Sequence, residues 1–192
     1  MALNEGRIEN GEFVKLDYLA SYIDERGFDV VKLINDDFFL AIKALFNRGL
    51  YVSASKLLLI FIDVISFVAY SDSSSTNFRK WLDRYVDLKS IGLTSEELWE
   101  HRNAMLHFTG LDSRKTRDGK VRRCMAYVGK VHPMPPLPAG EAWYNLNDLI
   151  SALAKGLEAF LGDFLPANIE TFVRNYDQIC SDTRLLVFRE DK

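Results

Sequence analysis

Apolar residues recur along most of the chain at the three- and four-residue spacing of an amphipathic helix. A first such face runs through residues 12 to 25 and predicts a helix that stops at Gly27. A second predicted helix starts after Asp29, which can cap it, and ends near Gly49. The two apolar faces consist of Phe13, Leu16, Leu19, Ala20 and Ile23 in the first helix and of Val31, Ile34, Phe38, Ala41 and Leu45 in the second.

The third predicted helix, residues 51 to 70, is apolar nearly all round, which is typical of a helix in the middle of a bundle. Its most apolar run, residues 57 to 70, contains Asp63 and is too short and too polar for a membrane span. A serine-rich turn follows, where Ser75 or Thr76 can cap the amphipathic stretch "NFRKWLDRYVDL".

The stretch "LTSEELWEHRNAMLHFTG" carries the signals of a well-defined helix start. Thr94 and Glu97 have the spacing of a capping box, and Leu93 and Leu98 that of a hydrophobic staple. Gly110 is the expected end of this helix. Helical spacing returns after residue 145 and continues past a break at Pro166, and "RLLVFRE" near the end predicts a short extended tail or strand.

Residues 111 to 144 have a different character. Asp118-Gly119 is a strong two-residue hairpin signal, with "VRRCMAYV" as the returning strand. The prolines of "HPMPPLPAG" exclude a helix there. The sequence thus predicts an all-α helical bundle forming a single domain over residues 1–192, with a small β-hairpin near residues 112–144 and a proline-rich loop inserted at 111–144.

Composition places this bundle among soluble globular proteins, with 48% hydrophobic and 27% charged residues. The net charge of −3 argues against broad, non-specific binding to nucleic acid. Residues 112 to 132 are nonetheless rich in basic side chains, namely Arg114, Lys115, Arg117, Lys120, Arg122, Arg123 and Lys130. The first six of these can guide an RNA backbone, or they can simply keep an edge strand soluble; the sequence leaves both open.

The expected compartment is the cytoplasm. Cys124 and Cys180 are too few and too far apart for a disulfide framework, so we expect two free thiols. The polar, acidic start "MALNEGRIENGEF" does not have the pattern of a signal peptide, and no membrane partner is expected.

The motifs of common enzyme classes do not occur in the sequence: there is no phosphate-binding loop, dinucleotide fingerprint, HExxH, CxxC or GxSxG. His101 and His107 are six residues apart, which points them to different sides of a helix and makes them a poor metal pair. We therefore expect neither a metal nor a cofactor. Glu100 and His101 are expected to face outward.

Arg102, Asn103 and His107 remain as the candidate site. Asn103 and His107 are neighbours on one helix face, and the long Arg102 side chain can reach a shared cleft. Imidazole can take or give a proton near neutral pH, guanidinium binds phosphate, and an amide can orient either one, which suits metal-free phosphoryl transfer in RNA. The alternative is a packing helix on which Arg102 and Asn103 are solvated and His107 bonds a backbone carbonyl.

The stretch "LWEHRNAMLH", preceded by the apolar "FIDVISF" and by "FRKWLDRYV", resembles the HEPN superfamily of all-helical domains. The family motif is an arginine, four to six residues and a histidine, often with a polar residue after the arginine; here these are Arg102, Asn103 and His107. The resemblance implies an up-and-down bundle over about residues 30 to 180 that forms a homodimer with the two motifs facing each other. Active family members are metal-independent endoribonucleases, frequently toxins or antiviral effectors, and others are inactive interaction modules.

The resemblance also implies roles for individual residues. His107 would serve as the general base or acid on RNA, Arg102 would hold the phosphate, and Asn103 would position it. Asp63 is expected to contribute from the third helix, although a lone aspartate in an apolar helix is commonly just hydrogen-bonded locally. The expected partners are a second copy of the chain, RNA and a cognate antitoxin protein. The alternative function is a non-catalytic module for dimerisation or ligand binding, and a third reading is a plain helical bundle in which the motif is coincidental.

Overall fold

A computed structural model describes residues 4–9, 12–15, 19–107, 112–130, 136, 138–181 and 186–188. The chain is predominantly helical, as the sequence predicts. In chain order the elements are β1 (Asn4–Glu9), β2 (Glu12–Lys15), β3 (Ile23–Asp24), β4 (Gly27–Phe28), α1 (Val30–Ile34), α2 (Leu40–Asn47), α3 (Tyr51–Tyr70), α4 (Ser75–Tyr85), α5 (Ser95–His107), α6 (Arg114–Arg117), β5 (Arg123–Tyr127), β6 (Glu141–Asn145), α7 (Leu146–Ser181) and β7 (Leu186–Phe188).

The Cα positions separate into two compact units. Unit 1 contains residues 1–57 and 170–192, and unit 2 contains residues 58–169. Helices α3 and α7 each begin in one unit and continue into the other. All four residues predicted for the catalytic site, and all six predicted to bind RNA, belong to unit 2.

The predicted first helix, residues 12 to 25, is wrong. Strand β2 pairs antiparallel with β1, and β7 pairs parallel with β1 on its other side. Further along the predicted helix the chain forms a 3-10 turn, Leu19–Tyr22, and then β3, which pairs with β4 beyond the predicted helix. The apolar spacing fits a helix, but "EFVK" favours a strand, and Asn10-Gly11 between β1 and β2 is a hairpin signal.

The second predicted helix is confirmed with a change in its middle. Asp29 caps α1 by accepting a hydrogen bond from the Lys32 amide at 2.8 Å. Gly49, with φ of +74°, follows α2. Between α1 and α2 the segment Asn35–Phe39 forms a π-helical turn. A π turn adds a residue to the turn and rotates the helix face, so a strict 3.6-residue spacing cannot describe both ends of this segment.

In unit 2 the predicted core helix α3 packs its apolar side chains into the interior. Phe61 of α3 lies edge-on to Trp81 of α4, with ring centroids 6.2 Å apart, and Trp81 meets Phe160 of α7 at 6.1 Å. Each of these rings is fully buried. Among the described residues α3 alone is long and apolar enough to cross a bilayer. Half of its most apolar stretch is buried, and the core helix of a soluble protein has the same length and composition, so α3 is only weak evidence for a membrane span.

The predicted β-hairpin is wrong. Residues 114–117 form the short helix α6, capped by the Ser113 hydroxyl. Asp118-Gly119 ends that helix, since the Gly119 amide donates to the Thr116 carbonyl and Gly119 has φ of +67°. Glycine with positive φ serves a helix end as well as a hairpin turn, which is why the dipeptide misleads. Most of the proline-rich part of the predicted insertion lies outside the described residues.

Strands β5 and β6 instead form a two-stranded parallel sheet, in which Arg123 is opposite Glu141 and Tyr127 opposite Asn145. The segment "VRRCMAYV" therefore contains the first strand of a parallel pair and not the second strand of a hairpin. Its partner "EAWYN" directly precedes α7 and was not predicted as a strand. Pro166 lies inside α7, and the non-helical backbone comes two residues later, at Asn168.

Candidate active site on helix α5

The start of α5 sets the position of every candidate residue on it, and the predicted capping box is confirmed. The Thr94 amide donates to Glu97 Oε2 at 2.8 Å, and the Glu97 amide donates to Thr94 Oγ1 at 3.2 Å. Leu93 and Leu98, predicted as the staple, are both buried. The helix ends at His107 in the described part of the chain, and the predicted stop at Gly110 lies outside it.

Arg102 joins the other three residues predicted for the site. Its Nε donates to Asp63 Oδ2 on α3 at 2.8 Å, and its Nη1 lies 3.2 Å from Asn103 Oδ1 and 3.2 Å from His107 Nε2. The side chains of Arg102 and Asp63 are about one-fifth exposed, at 21% and 23%. The structure thus brings Asp63, Arg102, Asn103 and His107 into one partly open cluster.

Burial and pairing act in opposite directions on Asp63. Burial raises the pKa of its carboxyl group above the ordinary value. The hydrogen bond from Arg102, and the nearby charges of Arg102 and His107, lower that pKa and only partly offset the burial. Asp63 is therefore a desolvated carboxylate whose charge depends on Arg102, as expected of a group that positions a guanidinium.

His107 lies at the last turn of α5 and is exposed. A guanidinium nitrogen can only donate a hydrogen bond, so His107 Nε2 must accept the contact from Arg102 Nη1. The imidazole proton is then on Nδ1. The basic lone pair of His107 consequently points at Arg102 and not away from the cluster.

Trp99 also belongs to this cluster, although it was not among the predicted site residues. The Arg102 guanidinium carbon lies 5.3 Å from the centre of the Trp99 ring, which is a cation–π distance. Phe78 contacts the same ring edge-on at 5.2 Å. Trp99 is half-buried. The signal that could have identified it is its position three residues before Arg102, on the same helix face.

Two of the predicted RNA-binding residues are bound to carboxylates of α5. Lys115 Nζ lies 2.6 Å from Glu96 Oε1 and 3.4 Å from Glu100 Oε1. Arg122 Nε donates to Glu97 Oε1 at 2.5 Å, and its Nη2 donates to the Gly92 carbonyl at 3.1 Å. These pairs hold the segment after α5 against the first turns of the same helix.

Of the other four predicted RNA-binding residues, two are close to carboxylates and two are not. Arg123 Nε lies 2.6 Å from Asp112 Oδ1, and Lys120 Nζ lies 3.5 Å from Asp118 Oδ2. Arg114 and Arg117 are exposed, and among the described residues neither side chain has an ion-pair partner. In the described part of the chain, four of the six predicted RNA-binding residues are therefore paired with carboxylates, of α5 or of their own segment, and Arg114 and Arg117 are not.

Glu100 and His101 do not face outward as predicted. Their exposed fractions are 5% and 3%. His101 Nε2 is 3.1 Å from the Tyr144 hydroxyl of β6, and burial lowers the pKa of His101 to about 4. The sequence missed this because the face of α5 that carries Glu100 and His101 is covered by α6 and by the sheet β5–β6, elements that it did not predict in these places.

The described residues also bear on metal binding and on the two cysteines. Within the described ranges, no three His, Cys, Asp or Glu residues are grouped so that they could hold a metal ion. Cys124 is a buried free thiol, as predicted for that residue, and the side chain of Cys180 lies outside the described part of the chain.

No family model, curated protein or solved structure matches the chain.

Proposed function

We propose that the protein is a metal-independent endoribonuclease of the toxin or phage-defence kind, which acts in the cytoplasm as a HEPN-like homodimer and is restrained by a cognate antitoxin. One observation carries the proposal: Arg102 contacts His107 Nε2 while Asp63, from a different helix, holds the opposite side of the guanidinium. A proton-transfer group and a phosphate-binding group thus share a partly open surface.

The reaction follows from these groups. His107 takes the proton from a ribose 2′-OH, whose oxygen attacks the adjacent phosphorus. The new O2′–P bond replaces the P–O5′ bond, and a proton passes to the leaving 5′ oxygen. Arg102 stabilises the charge that develops on the phosphate, and Asn103 orients the group beside it. The products are a 2′,3′-cyclic phosphate and a 5′-hydroxyl end.

The homodimer supplies what one chain lacks. The reaction needs a base at the 2′-OH and an acid at the 5′ oxygen, and His107 is the only histidine of the cluster in the described part of the chain. A second copy whose motif faces the first adds a second His107 and a second Arg102. The exposed position of His107 at the end of α5 is compatible with such an approach.

The test is cleavage of a single-stranded RNA by the purified protein in excess EDTA. We expect cleavage with a cyclic phosphate product, no cleavage of the all-deoxy analogue, and loss of cleavage in His107→Ala and Arg102→Ala. Arg174→Ala, which removes an exposed arginine from unit 1, is the matched control and should cleave like the unmodified protein. Equal cleavage by His107→Ala and the unmodified protein would refute the proposal.

A second candidate is a non-catalytic module for dimerisation or ligand binding. It is favoured by the number of internal bonds that Arg102 already makes, since structural ion-pair networks also bind arginines in this way. The two candidates differ in one result. A module would show no RNA cleavage in any variant, while its dimer would survive both His107→Ala and Arg102→Ala in gel filtration.

A further inference from the structure

A single face of α5 connects the candidate active site to α6. Glu96, Glu100, Asn103 and His107 follow one another at intervals of four, three and four residues, so they lie in one row along the helix. Lys115 of α6 reaches the first two members of that row. Helix α6 therefore rests on the same face that carries Asn103 and His107, nearer the start of α5.

The carboxylates of this row are paired with basic side chains. Glu96 is paired with both Arg79, at 3.0 Å, and Lys115, and these contacts lower the pKa of its carboxyl group. Glu100 is buried behind Lys115. The carboxylates beneath α6 are thus neutralised, and the cations that neutralise them are not available to phosphate.

Arg114 and Arg117 are the exception. They are three residues apart on α6, so they project from one side of it, and both are exposed. The Ser113 cap and the Lys115 pairs hold the turn that presents them. Two exposed guanidinium groups three residues apart, without carboxylate partners among the described residues, suit a phosphate backbone.

We infer that Arg114 and Arg117 form a second RNA contact, which binds backbone phosphates other than the one at the bond that His107 cleaves. This inference rests on the proposed ribonuclease function. It assigns RNA binding to two of the six basic residues, and it assigns Lys115, Arg122 and Arg123 to holding the segment in place. Glu100, which Lys115 contacts, and His107 are seven residues apart on α5, a rise of about 10 Å. A dinucleotide has only the phosphate at the cleaved bond, so it lacks the phosphates that this second contact would bind.

The experiment measures RNA binding separately from cleavage. The full chain carrying His107→Ala is titrated with a labelled single-stranded RNA of about twelve nucleotides at several salt concentrations, with and without Arg114→Ala plus Arg117→Ala. We expect the double substitution to weaken binding about tenfold, and to reduce the slope of log K against log salt by about 1.4, the value for two phosphate contacts on a single strand. Helical circular dichroism and the melting temperature should be unchanged, because both side chains are exposed.

A matched control separates position from charge. Lys130→Ala plus Lys155→Ala also removes two exposed positive charges from unit 2, and it should change affinity by no more than about twofold. Equal losses in the two double variants would overturn the inference, as would an unchanged salt slope or a failure of the parent protein to bind RNA.

Substrate length gives a second readout in the cleaving protein. With His107 restored, Arg114→Ala plus Arg117→Ala should raise KM for the twelve-nucleotide RNA and leave kcat/KM for a dinucleotide unchanged. A loss on both substrates would overturn the inference. The proposed ribonuclease function fails separately, if the protein binds RNA at α6 but does not cleave it.

Discussion

Arg102 Nη1 lies 3.2 Å from His107 Nε2, and this contact determines which nitrogen of His107 carries the proton. Because the guanidinium only donates, Nε2 holds the lone pair and Nδ1 the proton. The lone pair needed for a general base is thus occupied by Arg102 in this structure. In the proposed reaction, a phosphate that draws Arg102 toward itself would release Nε2 to the neighbouring 2′-OH, so that substrate binding would activate the base.

The tautomer of His107 can be measured directly. In long-range ¹H–¹⁵N NMR spectra recorded at pH 8, we expect His107 to show the Nδ1–H form in the unmodified protein. Arg102→Ala removes the donor at Nε2 and should shift His107 toward the Nε2–H form. His101, whose Nε2 contacts Tyr144, serves as an internal control and should not change. An Nε2–H form in the unmodified protein would contradict the geometry derived above.

Asp63 is expected to act as a positioning residue through Arg102. Asp63→Asn keeps the size of the side chain but removes the charge that holds Arg102 Nε. We expect RNA cleavage to fall about 10- to 100-fold, because a small misplacement of a catalytic group is enough for such a loss. The same variant should weaken the Nδ1–H signature of His107, an effect that a general loss of stability would not produce.

Asp163→Asn is the matched control for that substitution. Asp163 is also a carboxylate of unit 2 that binds an arginine, since Arg84 Nη2 donates to it at 2.7 Å, but it belongs to a different cluster. Cleavage by Asp163→Asn should equal that of the unmodified protein. If Asp63→Asn and Asp163→Asn cleave equally well, Asp63 has no role in positioning Arg102.

The helices that carry the candidate site could be predicted because their signals are local. Thr94 and Glu97 bond each other within one helical turn, and the apolar run of α3 needs no knowledge of its partners. The contact between Asp63 and Arg102 has no such local signal in the sequence. They are 39 residues apart, and only the packing of α3 against α5 brings them to 2.8 Å. Their proximity was an expectation from a family resemblance and could not follow from spacing.

The pairing of the strands could not be predicted in the same way, because it is not local. Residues 123–127 pair in parallel with residues 141–145, a partner that no hairpin turn would reveal. At the other end of the chain, β1 is paired with both β2 and β7, which come from opposite ends of the sequence. The strand β7 was predicted from "RLLVFRE", but its pairing with β1 was not. Asn10-Gly11 was a local signal for the β1–β2 hairpin, and the helical spacing of the neighbouring apolar residues obscured it.

The buried His101 should make the protein less stable in acid. Its pKa is about 4 in the folded chain and about 6.5 when unfolded, so the unfolded chain binds a proton that the folded chain rejects. The contribution of the neutral His101 to the free energy of unfolding is fully present above about pH 6.5 and is lost as pH falls toward 4. Between pH 7.5 and pH 5 we expect a loss of about 2 kcal/mol in the free energy of unfolding, measured by urea titration.

His101→Gln isolates this contribution. In this variant the free energy of unfolding should fall much less between pH 7.5 and pH 5 than in the unmodified protein, whatever its value at pH 7.5. Tyr144→Phe removes the hydrogen-bond partner of His101 but keeps the histidine buried, so the decline should persist. A decline of the same size in His101→Gln and the unmodified protein would show that other groups cause it.

Gly156 allows α7 to approach the end of α4 closely. A Cβ atom at this position would lie 2.7 Å from Val86 Cγ2 and 2.9 Å from the Tyr85 carbonyl oxygen. The oxygen belongs to the backbone, so α7 itself would have to shift. Alanine is a better helix former than glycine by about 1 kcal/mol, but crowding of this kind costs about 1–3 kcal/mol. We therefore expect Gly156→Ala to lower the free energy of unfolding, or at best to leave it unchanged.

Gly162, six residues further along α7, allows the effect of helix propensity to be measured apart from that of crowding. A Cβ atom at Gly162 would meet nothing within 4 Å, so Gly162→Ala should gain about 0.5–1 kcal/mol from propensity alone. The difference between the two variants in urea unfolding measures the close approach of α7 to Tyr85 and Val86. Equal stabilisation by both substitutions would mean that α7 has room at Gly156, and that the core formed by α4 and α7 is packed less tightly than these distances require.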